Sequence, residues 1–212
     1  MSRKKLYIIG ARGAGREFFA RFSRIPGFAD QYEFGGYLDD KMTALDGYMG
    51  YPPIVGPVED YRPKENDVFT CALGDPRYRK KYINIVLSKG GRFETLIAPS
   101  ASIYNNAKIG EGTVIYENCT VSCDVTVDDY VLMLSNAVLG HDVRIGRYSV
   151  IEANASACGF ASIGEGVILH TSSVVLPKVK VGDSSIVGAG SVVISNVKEG
   201  VTVFGAPAVK IF

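Results

Sequence analysis

Two places in this 212-residue chain hold residue types that can do chemistry. The first is the stretch 138–146, VLGHDVRIG, which carries one of only two histidines. An imidazole titrates near neutrality, so His141 can take a proton from a nucleophile at physiological pH. Its neighbour Asp142 can orient the ring or stabilise its charged form, as an acidic partner does in a catalytic triad. The alternative is a solvated histidine on a scaffold. The second place is the turn 10–15, GARGAG, which follows an apolar run and is paired further along with two carboxylates, Asp39 and Asp40. A helix starting in such a turn offers N–H groups to a phosphate or hydroxyl. Gly10, Gly13 and Gly15 form GxxGxG, not the GxGxxG of dinucleotide sites, and the first acidic residue at a strand end comes late. This argues against NAD. The alternative here is a tight turn that serves packing alone.

A base and a binding turn need rigid elements to hold them, and the second half of the chain supplies one by repetition. Every sixth residue from Ile97 to Val193 is apolar, including Ile115, Met133, Leu139, Ile151, Leu169 and Val187. The residue two before each is small or is valine, as at Thr113, Ala137, Ser149 and Ser185. A longer period of eighteen appears in KIGEG, TVDDY, RIGRY, SIGEG and KVGDS, beginning at Lys108, Thr126, Arg144, Ser162 and Lys180. A period of six fits neither a helix nor a simple strand. It predicts a parallel β-helix in which three hexapeptides make one triangular coil, with the aliphatic residue inside and the small residue at the corner.

This geometry places His141. Steps of eighteen give the column Cys123, His141, Gly159, Pro177. His141, two residues after the inward Leu139, should stand on the outer surface with a glycine one coil above. Gly159 leaves room beside the ring and exposes an N–H that can hold a developing oxyanion. His170 directly follows the inward Leu169, so it falls at a corner, either shaping a groove or inert. Cys123 and Cys158 read as small packing residues rather than nucleophiles. The carboxylates of the IGEG turns read as solvated, and no metal is expected.

Residues 1–94 lack the sixfold period. Lys5–Ile9 reads as a buried strand, the stretch FFARFSRI (18–25) as a helix, Tyr32–Leu38 as a second strand, Val68–Leu73 as a third and Asp75–Ser88 as a helix. This alternation predicts a small parallel α/β domain of Rossmann-like form. Its ligand site should lie at the carboxyl ends of the strands, where the turns at Gly10–Gly15, Leu38–Asp40 and Gly74–Asp75 converge. The expected organisation is a domain at 1–94 and a β-helix at 95–212. The first domain would cap one open end of the coil and the tail from Asn196 the other.

Net charge is +1 and 47% of residues are apolar. No block of basic residues favours nucleic acid or an anionic membrane. The start, MSRKKLYIIG, has too short an apolar run for a signal peptide or a membrane span. Four cysteines without zinc spacing or disulfide density fit a reduced, cytoplasmic protein.

Together, YIIGARGAGRE, GGYLDD, CALGD, the hexapeptide array, GHDVRIG and the ending VFGAPAVK resemble the NeuD/PglD type of sugar acyltransferase, over almost the whole chain. The resemblance implies a left-handed winding. It also implies a homotrimer with active sites between subunits and acetyl-CoA in the groove between adjacent helices. It implies transfer of acetyl to a UDP- or GDP-linked amino sugar for surface-glycan synthesis, with His141 as general base in direct transfer and Asp142 as its partner. Sugar-nucleotide contacts would fall at Arg12, Gly13, Ala14, Asp39, Asp40 and Gly74, and acetyl-CoA contacts at Val150, Gly159, Thr171, Gly188 and Ala189. Ala14 stands where the family's turn commonly has histidine, which removes a side-chain donor. Val150 also stands where a close relative has histidine, so contact there would run through backbone or packing. O-acetylation of a sugar such as sialic acid, and non-catalytic binding of a nucleotide sugar, are the alternative readings.

Overall fold

The computed structural model describes residues 3–212. Met1 and Ser2, within the range expected for the first domain, lie outside the described residues. Contacts divide the chain into two units, Met1–Glu94 and Thr95–Phe212.

The first unit runs β1 (Lys4–Ile9), α1 (Gly13–Phe22), α2 (Phe28–Gln31), β2 (Tyr32–Leu38), β3 (Ile54–Gly56), β4 (Asp67–Cys71), α3 (Pro76–Ser88) and β5 (Arg92–Phe93). The strands form one parallel sheet in the order β3-β2-β1-β4-β5. Strand order therefore reverses between β1 and β4, the point at which such sheets open a crevice for ligands. Leu6, Ile8 and Ile9 of the central β1 are buried, because the sheet is covered by helices. Phe18 and Phe22 of α1 stack at 4.4 Å and are buried, as are Ile83 and Val86 of α3.

Two element boundaries differ from the sequence expectation for physical reasons. α1 begins at Gly13, so the glycine turn supplies its first helical residues. β4 ends at Cys71 and not at Leu73. Arg79, fully buried on α3, donates from Nη1 to the carbonyls of Cys71 and Leu73 at 2.8 and 3.0 Å. Those carbonyls turn away to meet the guanidinium. α3 starts where expected: Asp75 accepts the Arg77 N–H at 2.9 Å as N-cap, and Pro76 fills the first helical position.

The second unit holds seventeen two-residue strands, one every six residues, from β6 (Leu96–Ile97) to β22 (Val192–Val193), followed by β23 (Thr202–Gly205) and β24 (Ala208–Lys210). From β6 to β19 each strand pairs in parallel with the one eighteen residues on, as Thr120 with Val138 and Val138 with Ser156. Three faces result, in the orders β24-β23-β21-β18-β15-β12-β9-β6, β22-β19-β16-β13-β10-β7 and β20-β17-β14-β11-β8. From Ile115 to Val193 every inward residue of the sixfold series is buried to 2% exposure or less. Ile97 and Ile103 are 38% and 37% exposed, because the first coil has none beneath it. The small residues two positions earlier fill the corners, and their hydroxyls link coils. Ser149 Oγ donates to the Gly164 carbonyl at 2.8 Å and accepts the Val167 N–H at 3.0 Å. At the far end β23 extends the first face and β24 folds back antiparallel, bringing Val203 and Ala208 onto the core.

Every corner residue from Asn106 to Gly190, in steps of six, has positive φ. Glycine, asparagine and aspartate tolerate that region best. They occupy nine of these fifteen positions, and Tyr130, Tyr148, Phe160, Ser172, Lys178 and Ser184 occupy the rest. Tyr130 and Tyr148 are buried and stacked on each other at 5.5 Å, which offsets their backbone strain.

Candidate active site

The first unit carries a cavity of about 500 Å3 at the carboxyl ends of β1, β2 and β4. Arg12, Ala14, Asp39, Asp40 and Gly74 line it, and Gly13 opens α1 between the first two. α1 has no side-chain cap, so no side-chain oxygen competes for its first N–H groups, which are the groups an anion would use. The approach of helix to strand is close: a Cβ on Gly15 would fall 1.9 Å from the Gly10 carbonyl oxygen, so only glycine permits this turn.

The two carboxylates do different work. Asp39 accepts the Ala11 N–H through Oδ2 and the Lys41 N–H through Oδ1, both at 2.9 Å. It ties the β1 and β2 turns together, and both of its oxygens are engaged. Asp40 Oδ2 accepts from the Tyr82 hydroxyl at 2.6 Å, and this bond raises the phenol's pKa above its ordinary value, so Tyr82 remains a donor. Tyr78, half-exposed, adds an aromatic wall one helical turn earlier on α3. Neither tyrosine stands out in the sequence; their spacing of four, which places them on one face of α3, is the signal that marks them.

In the second unit His141 lies at the corner between β13 (Val138–Leu139) and β14 (Arg144–Ile145), with its side chain 57% exposed. Its Nδ1–H donates to Asp142 Oδ2 at 2.9 Å, the tautomer set by an acceptor-only carboxylate. Nε2 is then the nitrogen left to receive a proton. The ring lies on Gly159, where a Cβ would fall 2.7 Å from both Cε1 and Nε2. The Gly159 N–H has no acceptor among the described residues. The Phe160 ring meets the imidazole edge-to-face at 5.1 Å.

The residues expected to contact a coenzyme lie on three successive coils. Val150 is buried to 1% on β15 (Val150–Ile151), and its N–H belongs to the coil ladder. Thr171 donates through both its N–H and its hydroxyl to Glu152 Oε2, at 3.0 and 3.1 Å. His170 Nδ1 meets the same oxygen at 3.1 Å, so a second histidine–carboxylate pair stands at a corner, joined across eighteen residues of sequence. Gly188 is buried under the Phe204 ring, and Ala189 is exposed. Cys123 and Cys158 are free thiols, each partly buried. Among the described residues no group of three or more His, Cys, Asp or Glu is placed to hold a metal, and no helix is long and apolar enough to cross a membrane.

Residues 5–86 match the PglD N-terminal domain, and residues 160–195 match the bacterial transferase hexapeptide of six repeats. The chain thus joins a PglD-type N-terminal domain to bacterial transferase hexapeptide repeats, as the sugar N-acyltransferases similar to it do. Its first unit is the PglD-type α/β domain and its second a left-handed β-helix. No curated protein sequence matches this chain. Among solved structures it is similar to the acetyltransferase domain of PglB from Neisseria gonorrhoeae, at 27% identity over 99% of this chain and 100% of that one, with a TM-score of 0.86. That domain has also been solved in complex with acetyl coenzyme A. It is similar too to PerB from Caulobacter crescentus in complex with CoA and GDP-perosamine, at 25% identity over 100% and 99% of the two chains, with a TM-score of 0.88. A variant of the Caulobacter crescentus GDP-perosamine N-acetyl transferase with one histidine replaced by alanine gives 25% identity over 100% and 98%, with a TM-score of 0.81.

Proposed function

We propose that this acyltransferase moves the acetyl group of acetyl-CoA onto the amine of a nucleotide-linked amino sugar, for a surface glycan. The cavity of the first unit would hold the nucleotide sugar, its phosphates at the start of α1 beside Arg12. The observation that carries the reading is the imidazole laid against Gly159, with its Nδ1 tied to Asp142 and its Nε2 left to act. The amine attacks the thioester carbonyl while His141 Nε2 takes an amine proton. The N–C bond forms, the C–S bond breaks, and the imidazolium can return the proton to the leaving thiolate. The Gly159 N–H would hold the oxyanion of the intermediate. Asp142 stabilises the imidazolium.

The PglB domain and PerB, solved with acetyl coenzyme A and with CoA and GDP-perosamine, support both substrate classes. Val150, Thr171, Gly188 and Ala189 would belong to the coenzyme groove, which a homotrimer would form between neighbouring β-helices. Four free cysteines fit a reducing compartment such as the cytoplasm.

The test is incubation with acetyl-CoA and a panel of UDP- and GDP-linked amino sugars, with products read by mass spectrometry. A new amide on the sugar is expected. An ester product would mean O-acetylation, and binding with no transfer across the panel would refute catalysis.

A further inference from the structure

We infer that Phe160 is a positioning residue for His141, clamping the imidazole so that Nε2 points at the reacting centre. The inference rests on the proposed role of His141 as base. Phe160 lies one coil above Asp142, in the corner column Asn106, Asp124, Asp142, Phe160, Lys178. The other four members are small polar residues or a long flexible cation, and all five have positive φ. A phenylalanine is a poor choice there, since its Cβ crowds the backbone and its side chain offers no local hydrogen bond. It is also 52% exposed, so burial does not offset the strain as it does for Tyr130 and Tyr148.

What Phe160 does touch is the imidazole, edge-to-face at 5.1 Å with the two rings inclined at 85°. Its own N–H donates to the His141 carbonyl at 3.0 Å, so the two residues are locked in register. Three sides of the His141 ring are then accounted for. Asp142 holds Nδ1 from the same coil, Gly159 of the next coil lies against Cε1 and Nε2, and Phe160 closes one flank. A residue that breaks a local rule without a compensating gain in stability points to function, and the group it braces is the only histidine of its column.

The test uses the full chain and two variants, Phe160→Asn and Phe160→Tyr. Asparagine is the commonest residue at the positive-φ corners of this coil, at Asn106, Asn118, Asn136 and Asn154, so a purely structural role predicts equal or higher thermal stability and no other change. With only two histidines in the chain, 15N NMR can follow the His141 tautomer without any substrate. The wild type should show predominantly the Nδ1–H form. Phe160→Asn frees the ring to swing off the Asp142 carboxylate, so it should average the two ring nitrogens, lower kcat at least 10-fold and leave both KM values within about 2-fold, while its Tm does not fall. Phe160→Tyr should restore the tautomer and most of kcat. An unchanged tautomer and kcat in Phe160→Asn would overturn the inference. A tautomer that responds to Phe160→Asn, together with a wild type that acetylates nothing, would uphold the clamp and refute the base.

Discussion

Replacing Gly159 by alanine puts the catalytic geometry under the smallest possible load. The added Cβ would stand 2.7 Å from both Cε1 and Nε2 of His141, whereas ordinary contact begins near 3.4 Å. The imidazole must therefore move by roughly 0.7 Å, the difference of those two distances. A misplacement approaching 1 Å costs on the order of 10²-fold in rate. We expect kcat to fall about 10- to 100-fold, which is about 1.4–2.7 kcal/mol at 1.36 kcal/mol per decade. Gly159 does not have positive φ and is partly exposed, so the fold should not suffer. The loss of unfolded-chain freedom should instead stabilise it by about 0.4–1 kcal/mol. The assay is CoA release at saturating acetyl-CoA and sugar nucleotide, beside a thermal melt. A normal kcat at an unchanged or higher Tm would mean that the ring over Gly159 is not at the reacting centre.

His141→Ala should lower kcat by about 10²–10⁴-fold with little change in Tm, because the side chain is mostly exposed; a large fall in Tm with activity retained would refute the role. Asp40→Ala should raise KM for the sugar nucleotide more than that for acetyl-CoA, and equal effects on both would argue against the pocket assignment. Asp39→Ala should do more to stability, since it frees the Ala11 and Lys41 N–H groups, each bond to a charged acceptor being worth about 1.5–3 kcal/mol, as a urea melt can measure. Arg77 holds the Asp75 carboxyl below its usual range. A lowered folded pKa stabilises above the unfolded value, near 4, and that increment is lost as pH falls through the folded one. Asp75→Ala should thus cost about 0.5–2 kcal/mol at neutral pH and progressively less in acid, compared by melts across that range.

The β-helix was legible because one period fixes everything: inward, corner and outer positions follow once the spacing of six is seen. The column arithmetic put Gly159 above His141, and the ring does lie there. Three of the five strands of the first unit, β1, β2 and β4, were legible from apolar runs that end at glycine or aspartate, whereas the short edge strands β3 and β5 have too few residues to show a pattern. What could not be read was which partner each polar group takes. Asp39 and Asp40 are adjacent in sequence, yet one is turned to backbone N–H groups and the other to Tyr82 on a distant helix. The Glu152 carboxylate serves both His170 and Thr171 because a coil repeat brings them to one height, a match hidden unless the eighteen-residue step is applied to polar residues as well as apolar ones. The early end of β4 depended on Arg79, eight residues beyond it, burying its charge among carbonyls.

In the second face, β13 has two strands on one side and three on the other. A stack of this kind is held by neighbour-to-neighbour contacts and opens first at its ends. The coil bearing His141 and the one bearing Gly159 and Phe160 are therefore both interior layers. Breathing at either extremity can unzip a terminal turn while the proton-handling groups keep their spacing, so the working layers are insulated from the most mobile parts of their own scaffold.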